Sequence, residues 1–321
     1  MAGRQDMGLK TRIFGLGTLE HPIMNAAGPR CKTLEEVVDL SRTPVAVVTV
    51  GSITVEPRPG NQGDVYHSTP GQFSLNSLGL PNGGIPYYEE NLSGMADVVH
   101  RASKTFGVSI AGFTPEEYAK LAALAVQGGA DMVEVNLGCP NVWQGGKQKR
   151  IACFDPGLVM EILTLVGDAT LWEITENAPC LVAKVSPFSD PVLLGEIAQV
   201  IKGRVDAVTA INTFPNAFAF TGSGRPAISP QFSKGLAGMA GPAMKAIGLG
   251  QVLQWRNLLP EDMSVIGAGG VRTGQDVQDY RRVGASAVQI ATAHADEGAK
   301  VFDRILMEYV ALAEAEVPLA P

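Results

Sequence analysis

Positive charge is in short supply: 25 Lys and Arg stand against 32 Asp and Glu, for a formal net charge of −7. Proteins that track a phosphate backbone carry a basic excess or a basic stripe, so nucleic acid is not expected as a partner. Cysteine is scarce too. Cys31, Cys139, Cys153 and Cys180 form no C-x-x-C pair and have no His at metal-ligand spacing, which argues against a structural metal. No run approaches the roughly 18 to 20 uncharged apolar residues that cross a bilayer. The first residues, MAGRQDMGLKTRIFGLGTL, lack the apolar core of a secretory leader. The expectation is a cytoplasmic protein with reduced thiols, each either a small buried hydrophobe or a reactive group. Charged residues of any sign make up only 18%, too few for a disordered chain, while 45% hydrophobic residues suffice for a large core.

The 321 residues allow two ordinary domains or one (β/α) barrel of about 250 residues or more. Apolar runs rich in Val, Ile and Ala alternate with segments of helical period along the whole chain, the pattern of β-α units around a parallel sheet. About eight units can be counted, the number of a (β/α)8 TIM barrel, and no linker divides them. Strands are expected at Pro22 to Ala26, Val45 to Val50, Gly107 to Ala111, Asp131 to Leu137, Leu181 to Val185, Ala207 to Ile211, Ser264 to Ala268 and Ala287 to Ala291. Helices are expected near Leu34 to Leu40, Tyr88 to Ser103, Pro115 to Gln127, Gly157 to Val166, Pro191 to Ile201, Ala243 to Arg256, Gly274 to Val283 and Glu297 to Glu314. Thr114-Pro115, Asp155-Pro156 and Asp190-Pro191 pair a capping side chain with an N1 proline. The connections Gly51 to Tyr87, Gly138 to Asp155 and Asn212 to Pro242 are long, and in a barrel all emerge at the C-terminal face where catalytic groups gather.

Those loops open on the chemistry. Cys139 lies in Asn136-Leu137-Gly138-Cys139-Pro140-Asn141 at a strand end. A lone cysteine is more often buried filler, but here amides flank it on a turn that Pro140 stiffens, and a stabilised thiolate accepts protons. Lys184 ends the next apolar run, where burial is costly unless it meets an anion. The strand after that ends in Ile211-Asn212-Thr213. Gly267-Ala268-Gly269-Gly270 and Ala291-Thr292 close the last two strands, the usual phosphate end of barrel enzymes. This glycine run lacks dinucleotide spacing and no Walker motif occurs, so a mononucleotide such as FMN fits better than NAD.

Nearly the whole chain resembles the dihydroorotate dehydrogenase family, particularly its soluble class 1A branch. The matching stretches are Met24-Asn25-Ala26-Ala27-Gly28, Pro57-Arg58-Pro59-Gly60-Asn61, Leu75-Asn76-Ser77-Leu78-Gly79-Leu80-Pro81-Asn82, the Asn136 to Asn141 loop, Ile266-Gly267-Ala268-Gly269-Gly270 and Thr273-Gly274-Gln275-Asp276. The resemblance implies one FMN barrel over residues 1–321 that oxidises dihydroorotate to orotate, without a metal, with fumarate as acceptor and a homodimer as assembly. Cys139 would take the C5 proton while hydride passes from C6 to flavin N5, and Lys184 would stabilise the charge on reduced flavin. Asn76, Asn136, Asn141, Asn212 and Thr213 would hold the substrate, with the backbone of Leu78, Gly79 and Leu80 closing over it. Ala26, Ala27, Gly28, Gly51, Ser52, Asn136, Lys184 and Ile211 would contact the flavin, and Gly241, Gly269, Gly270, Ala291 and Thr292 would line its phosphate end. Cysteine rather than serine at 139 separates the chain from the membrane-associated branch.

One position departs from the soluble branch, which carries a lysine where this chain has Gly51. The membrane branch takes its lysine from the loop after the first strand, which here reads Gly28-Pro29-Arg30-Cys31-Lys32, so Lys32 or Arg30 is expected to replace it. The alternative is a changed substrate, another pyrimidine or small ring. A tRNA dihydrouridine synthase shares the Asn-x-x-Cys-Pro loop but is disfavoured by the acidic balance and the lack of a basic RNA-binding domain. Lys147, Lys149 and Arg150 are read as a solvated basic loop, with a lid over an anionic substrate as the sharper option.

Overall fold

The computed structural model describes residues 9–144, 147–172 and 178–316. Eight parallel strands close into a barrel in chain order: β1 (Ile23–Asn25), β2 (Val47–Ile53), β3 (Thr105–Ile110), β4 (Met132–Asn136), β5 (Cys180–Val185), β6 (Ala207–Ala210), β7 (Ser264–Ala268) and β8 (Ala287–Ile290). All eight expected strands form, so the (β/α)8 reading of the alternating pattern holds. Around them run α1 (Leu34–Ser41), α2 (Gly84–Arg101), α3 (Pro115–Gln127), α4 (Pro156–Trp172), α5 (Pro191–Ile201), α6 (Lys245–Leu258), α7 (Gly274–Arg282) and α8 (Val301–Glu316).

Local chemistry accounts for the helix starts. Thr114 accepts from the Glu117 amide and Asp190 from those of Val192 and Leu193, while Asp155 accepts from Leu158 N at 3.1 Å. Thr33 and Thr273 build reciprocal capping boxes with Glu36 and Asp276. The expected helix from Glu297 is broken: a short helix, Thr292–Glu297, ends at Gly298 with φ +76°, and α8 begins at Val301.

Two apolar layers hold the barrel. Outward side chains such as Val48, Val108 and Val135 pack under helix residues such as Leu92, Leu121 and Ile197. Each fully buried aliphatic of this size contributes about 1.5–3 kcal/mol. The lower interior is filled by Met24, Val47, Met132, Val182, Ala207, Ile266 and Ala287. It is plugged by Ile13 and Leu19 from a hairpin of Thr11–Ile13 and Gly17–Leu19. The long connections are not structureless. Tyr66–Thr69 and Phe73–Asn76 from the β2–α2 loop join Ala237–Ala240 and Phe214–Ala217 from the β6–α6 loop in one antiparallel sheet. Among the described residues no helix is long and apolar enough to cross a membrane.

Candidate active site

A cavity opens at the C-terminal end of the strands, bounded by the first turns after them and by the antiparallel sheet. It encloses about 1320 Å³ of atom-free space, its open mouth included, against the roughly 300–1,000 Å³ of common small-molecule sites. The residues that the resemblance assigns to catalysis, substrate and cofactor lie on its wall. Cys139 and Lys184 are there, as are Asn76, Leu78, Gly79, Leu80, Asn136, Asn141, Asn212 and Thr213. So are Ala26, Ala27, Gly28, Gly51, Ser52 and Ile211, and at the far end Gly241, Gly269, Gly270, Ala291 and Thr292. Tyr66, Arg272 and Gln289 also line it and were not anticipated; Arg272 directly precedes the matched Thr273 stretch and Gln289 lies inside an expected strand, whereas Tyr66 falls between the matched stretches and has no motif of its own.

Cys139 differs from the other thiols. Cys31, Cys153 and Cys180 are fully buried, and burial pushes their thiols up, Cys31 to about 11 and Cys153 to about 12. They behave as packing groups. Cys139 is half-buried on the cavity wall. Burial raises its thiol as well, opposed by the Asn141 backbone and by the positive charges of Arg58, Lys149 and Lys184. Two of those cations share one ring: the Arg58 guanidinium lies 4.8 Å and the Lys149 ammonium 4.6 Å from the Phe113 centroid. Arg58 Nε donates to Gly79 O at 3.0 Å and Lys149 Nζ to Phe113 O at 2.9 Å. Lys149 is thus packed beside the site rather than solvated, which corrects its reading as part of a free basic loop; Lys147 and Arg150 are exposed.

The amides form two hydrogen-bonded groups. Asn212 Nδ2 donates to Asn136 Oδ1 at 3.0 Å, and Asn136 Nδ2 donates to Ser52 Oγ at 2.8 Å. Asn141 Nδ2 donates to Asn76 Oδ1 at 2.9 Å, and Asn76 Nδ2 to Gly238 O at 3.3 Å. Asn61 ties the loops together by donating to Ser77 O at 2.8 Å and Asn141 O at 3.2 Å. The Thr213 hydroxyl oxygen is buried and has no hydrogen-bond partner among the described residues. A Cβ on Gly238 would collide with it, so the bare glycine makes its room.

Lys184 forms the floor, 5% exposed, with Nζ donating to Gln289 Oε1 at 2.8 Å and 3.5 Å from Glu134 Oε1. Glu134, fully buried two residues before Asn136, went unremarked in the sequence; a carboxylate inside the apolar run Met-Val-Glu-Val was the available signal.

Gly51 takes φ +116°, and an added Cβ would run into the Ser109 carbonyl and sit 2.9 Å from Ile53 N. This backbone admits no side chain there, so no lysine can stand at 51 without moving two strands. The two expected substitutes separate. Lys32 lines the cavity, half-buried, with burial lowering its ammonium; Arg30 is exposed and off the wall.

At the far end Gly241, Gly269 and Gly270 have φ of +83°, +119° and +76°, and a Cβ on Gly270 would lie 2.8 Å from Lys245 N. Bare backbone there leaves room for close approach of an anionic group.

A barrel with a thiol, a buried lysine and paired amides at the C-terminal ends of its strands belongs with the barrel enzymes. The comparisons give the family. A sequence profile described as "Dihydroorotate dehydrogenase" matches residues 8–312, and the chain belongs to this family of oxidoreductases. It is 31% identical over 297 residues to a "Putative dihydroorotate dehydrogenase A (fumarate)" of Streptococcus pyogenes serotype M5 (strain Manfredo), covering 92% of this chain and 90% of that protein. It is 29% identical over 309 residues to "Dihydroorotate dehydrogenase B (NAD(+)), catalytic subunit" of Methanocaldococcus jannaschii, covering 96% and 94%. A crystal structure of DHODH in complex with ferulenol from Eimeria tenella superimposes with TM-score 0.80 at 22% identity over 97% of this chain and 86% of that one, a likeness of fold.

Proposed function

We propose that the protein oxidises (S)-dihydroorotate to orotate, a step of pyrimidine biosynthesis, with FMN in the cavity, Cys139 as base and fumarate as electron acceptor. The observation that carries this is one cavity holding a half-buried thiol, two hydrogen-bonded amide pairs and a buried lysine. Family membership supports the substrate. FMN suits the residues present: bare glycine backbone at 241, 269 and 270 leaves space for a phosphate, and Lys184 supplies a cation on the floor. Gly28, Gly51, Ser52 and Ile211 border the space between. When bound, FMN supplies the hydride acceptor for substrate C6.

The chain's own residues do the rest. Cys139, as thiolate, takes the C5 proton, and the cations Arg58, Lys149 and Lys184 favour that charged form against the effect of burial. The pairs Asn76–Asn141 and Asn136–Asn212 leave amide donors and acceptors facing a small planar ring, and the Thr213 hydroxyl, without a partner among the described residues, offers one more bond. Leu78, Gly79 and Leu80 cover the ring and keep water from it. Lys32 stands in for the cation that Gly51 cannot carry and meets the substrate carboxylate. Fumarate is favoured by the S. pyogenes relative's name, and a homodimer in the cytoplasm completes the proposal.

Gly51 supports a second reading, in which another pyrimidine or small ring is the substrate. Anaerobic mixing with dihydroorotate separates them. Bleaching of the flavin band supports dihydroorotate, whereas a yellow protein whose spectrum stays oxidised after minutes moves the assignment to another ring.

A further inference from the structure

Below the cavity, four inward-facing polar side chains share one level: Thr49 on β2, Glu134 on β4, Thr209 on β6 and Gln289 on β8, none more than 2% exposed. Alternate strands supply one layer of a (β/α)8 interior, and branched aliphatics usually fill it. This layer holds a carboxylate. Glu134 Oε2 accepts from Thr209 Oγ1 at 3.0 Å and from Gln289 Nε2 at 2.5 Å. Glu134 Oε1 has no hydrogen-bond donor among the described residues and faces Lys184 Nζ at 3.5 Å. Lys184 Nζ donates to Gln289 Oε1 at 2.8 Å. The two charges therefore dictate the Gln289 amide, whose NH2 points to the carboxylate and whose oxygen points to the ammonium. Lys184 and Gln289 reach the cavity wall; Glu134 and Thr209 do not.

A carboxylate buried here is costly even when paired, and an aliphatic side chain would fill the layer without that cost. Its presence marks a role at the floor above. We propose that Glu134 is a positioning residue which, through Gln289 and Lys184, sets how much positive charge the floor presents to bound flavin. It requires FMN in the cavity and so rests on the function proposed above. The carboxylate offsets the Lys184 ammonium. A flavin gains negative charge on reduction, so Glu134 holds its potential below the value that Lys184 alone would set.

The test is the two-electron midpoint potential of FMN in the holoenzyme, titrated against a reference dye for wild type and Glu134→Gln. The variant keeps the side chain's shape and removes the charge. Its potential should move positive, corresponding to a preference for reduced over oxidised FMN at least about tenfold greater, about 30 mV for a two-electron couple. A variant with lowered Tm and unchanged potential would give Glu134 a structural role only and overturn the proposal. If Glu134→Gln does not hold FMN, thermal melting of Lys184→Gln against the double variant Glu134→Gln, Lys184→Gln decides. Lys184→Gln strands a buried carboxylate, so the double variant should melt higher. A double variant no more stable than Lys184→Gln would show that Glu134 is not the counter-charge. A colourless wild type would refute the FMN assignment itself, whereas a yellow wild type with an unmoved variant potential refutes the role of Glu134 alone.

Discussion

Restoring the missing lysine, by Gly51→Lys, looks like a gain of function and is expected to be a loss. Any L-residue at φ +116° is strained, at about 1–2 kcal/mol. The Cβ also meets the Ser109 carbonyl and Ile53 N, backbone atoms of β3 and β2 that cannot swing aside as a side chain would. Overpacking of this kind costs about 1–3 kcal/mol. The combined penalty, roughly 2–5 kcal/mol, is common to Gly51→Ala and Gly51→Lys. Unfolding entropy of about 2.1 cal/mol/K per residue amounts to about 0.7 kcal/mol/K over 321 residues, so Tm should fall by roughly 3–7 °C in both variants. Melting followed by flavin fluorescence and by circular dichroism measures the fall. Dihydroorotate turnover in Gly51→Lys should not exceed wild type, because the shifted β2 end carries Ser52, whose hydroxyl holds Asn136. A Gly51→Lys protein that melts within about 1 °C of wild type and turns over faster would refute both the steric exclusion at 51 and the role given to Lys32.

Lys32→Ala should raise KM for dihydroorotate about 5- to 30-fold with Tm unchanged, since a half-exposed charge-assisted bond is worth less than the roughly 1.5–3 kcal/mol of a shielded one. Arg30→Ala, off the wall, should change KM less than twofold; equal effects would dissolve the distinction. Cys139→Ala should slow flavin reduction by about 10²–10⁴-fold in rapid mixing with dihydroorotate. In wild type that rate should rise with pH, because the proposed base acts as the thiolate and burial raises the thiol. Lys149→Met removes a cation that favours the thiolate, so the rising limb should move to higher pH; a limb that stays put would detach Lys149 from the base. Reduced enzyme should be reoxidised by fumarate, and reoxidation by NAD+ alone would overturn the choice of acceptor.

Much of this was written locally. Period, proline-flanked caps and apolar runs are properties of short stretches, and they mark all eight barrel strands; the expected α3 and α5 match the structure residue for residue, as does β7. The motifs also named the side chains on the cavity wall, because strand ends of a barrel converge by construction. What lay beyond local reach was pairing between distant segments. Phe73–Asn76 and Ala237–Ala240 form one sheet only because the β2–α2 and β6–α6 loops meet over the mouth. Whether Lys32 or Arg30 faces the cavity depends on how one loop turns, and Lys149 packs on Phe113 from a different β-α connection. Glu134 shows the division most sharply. Its alternation with Met132 and Asn136 could be read along the strand, but only pairing with β5 brings Lys184, and only closure of the barrel brings Thr209 and Gln289, to its two oxygens. Burial and partnership are set by the sum of long-range packing, and no window of sequence contains that sum.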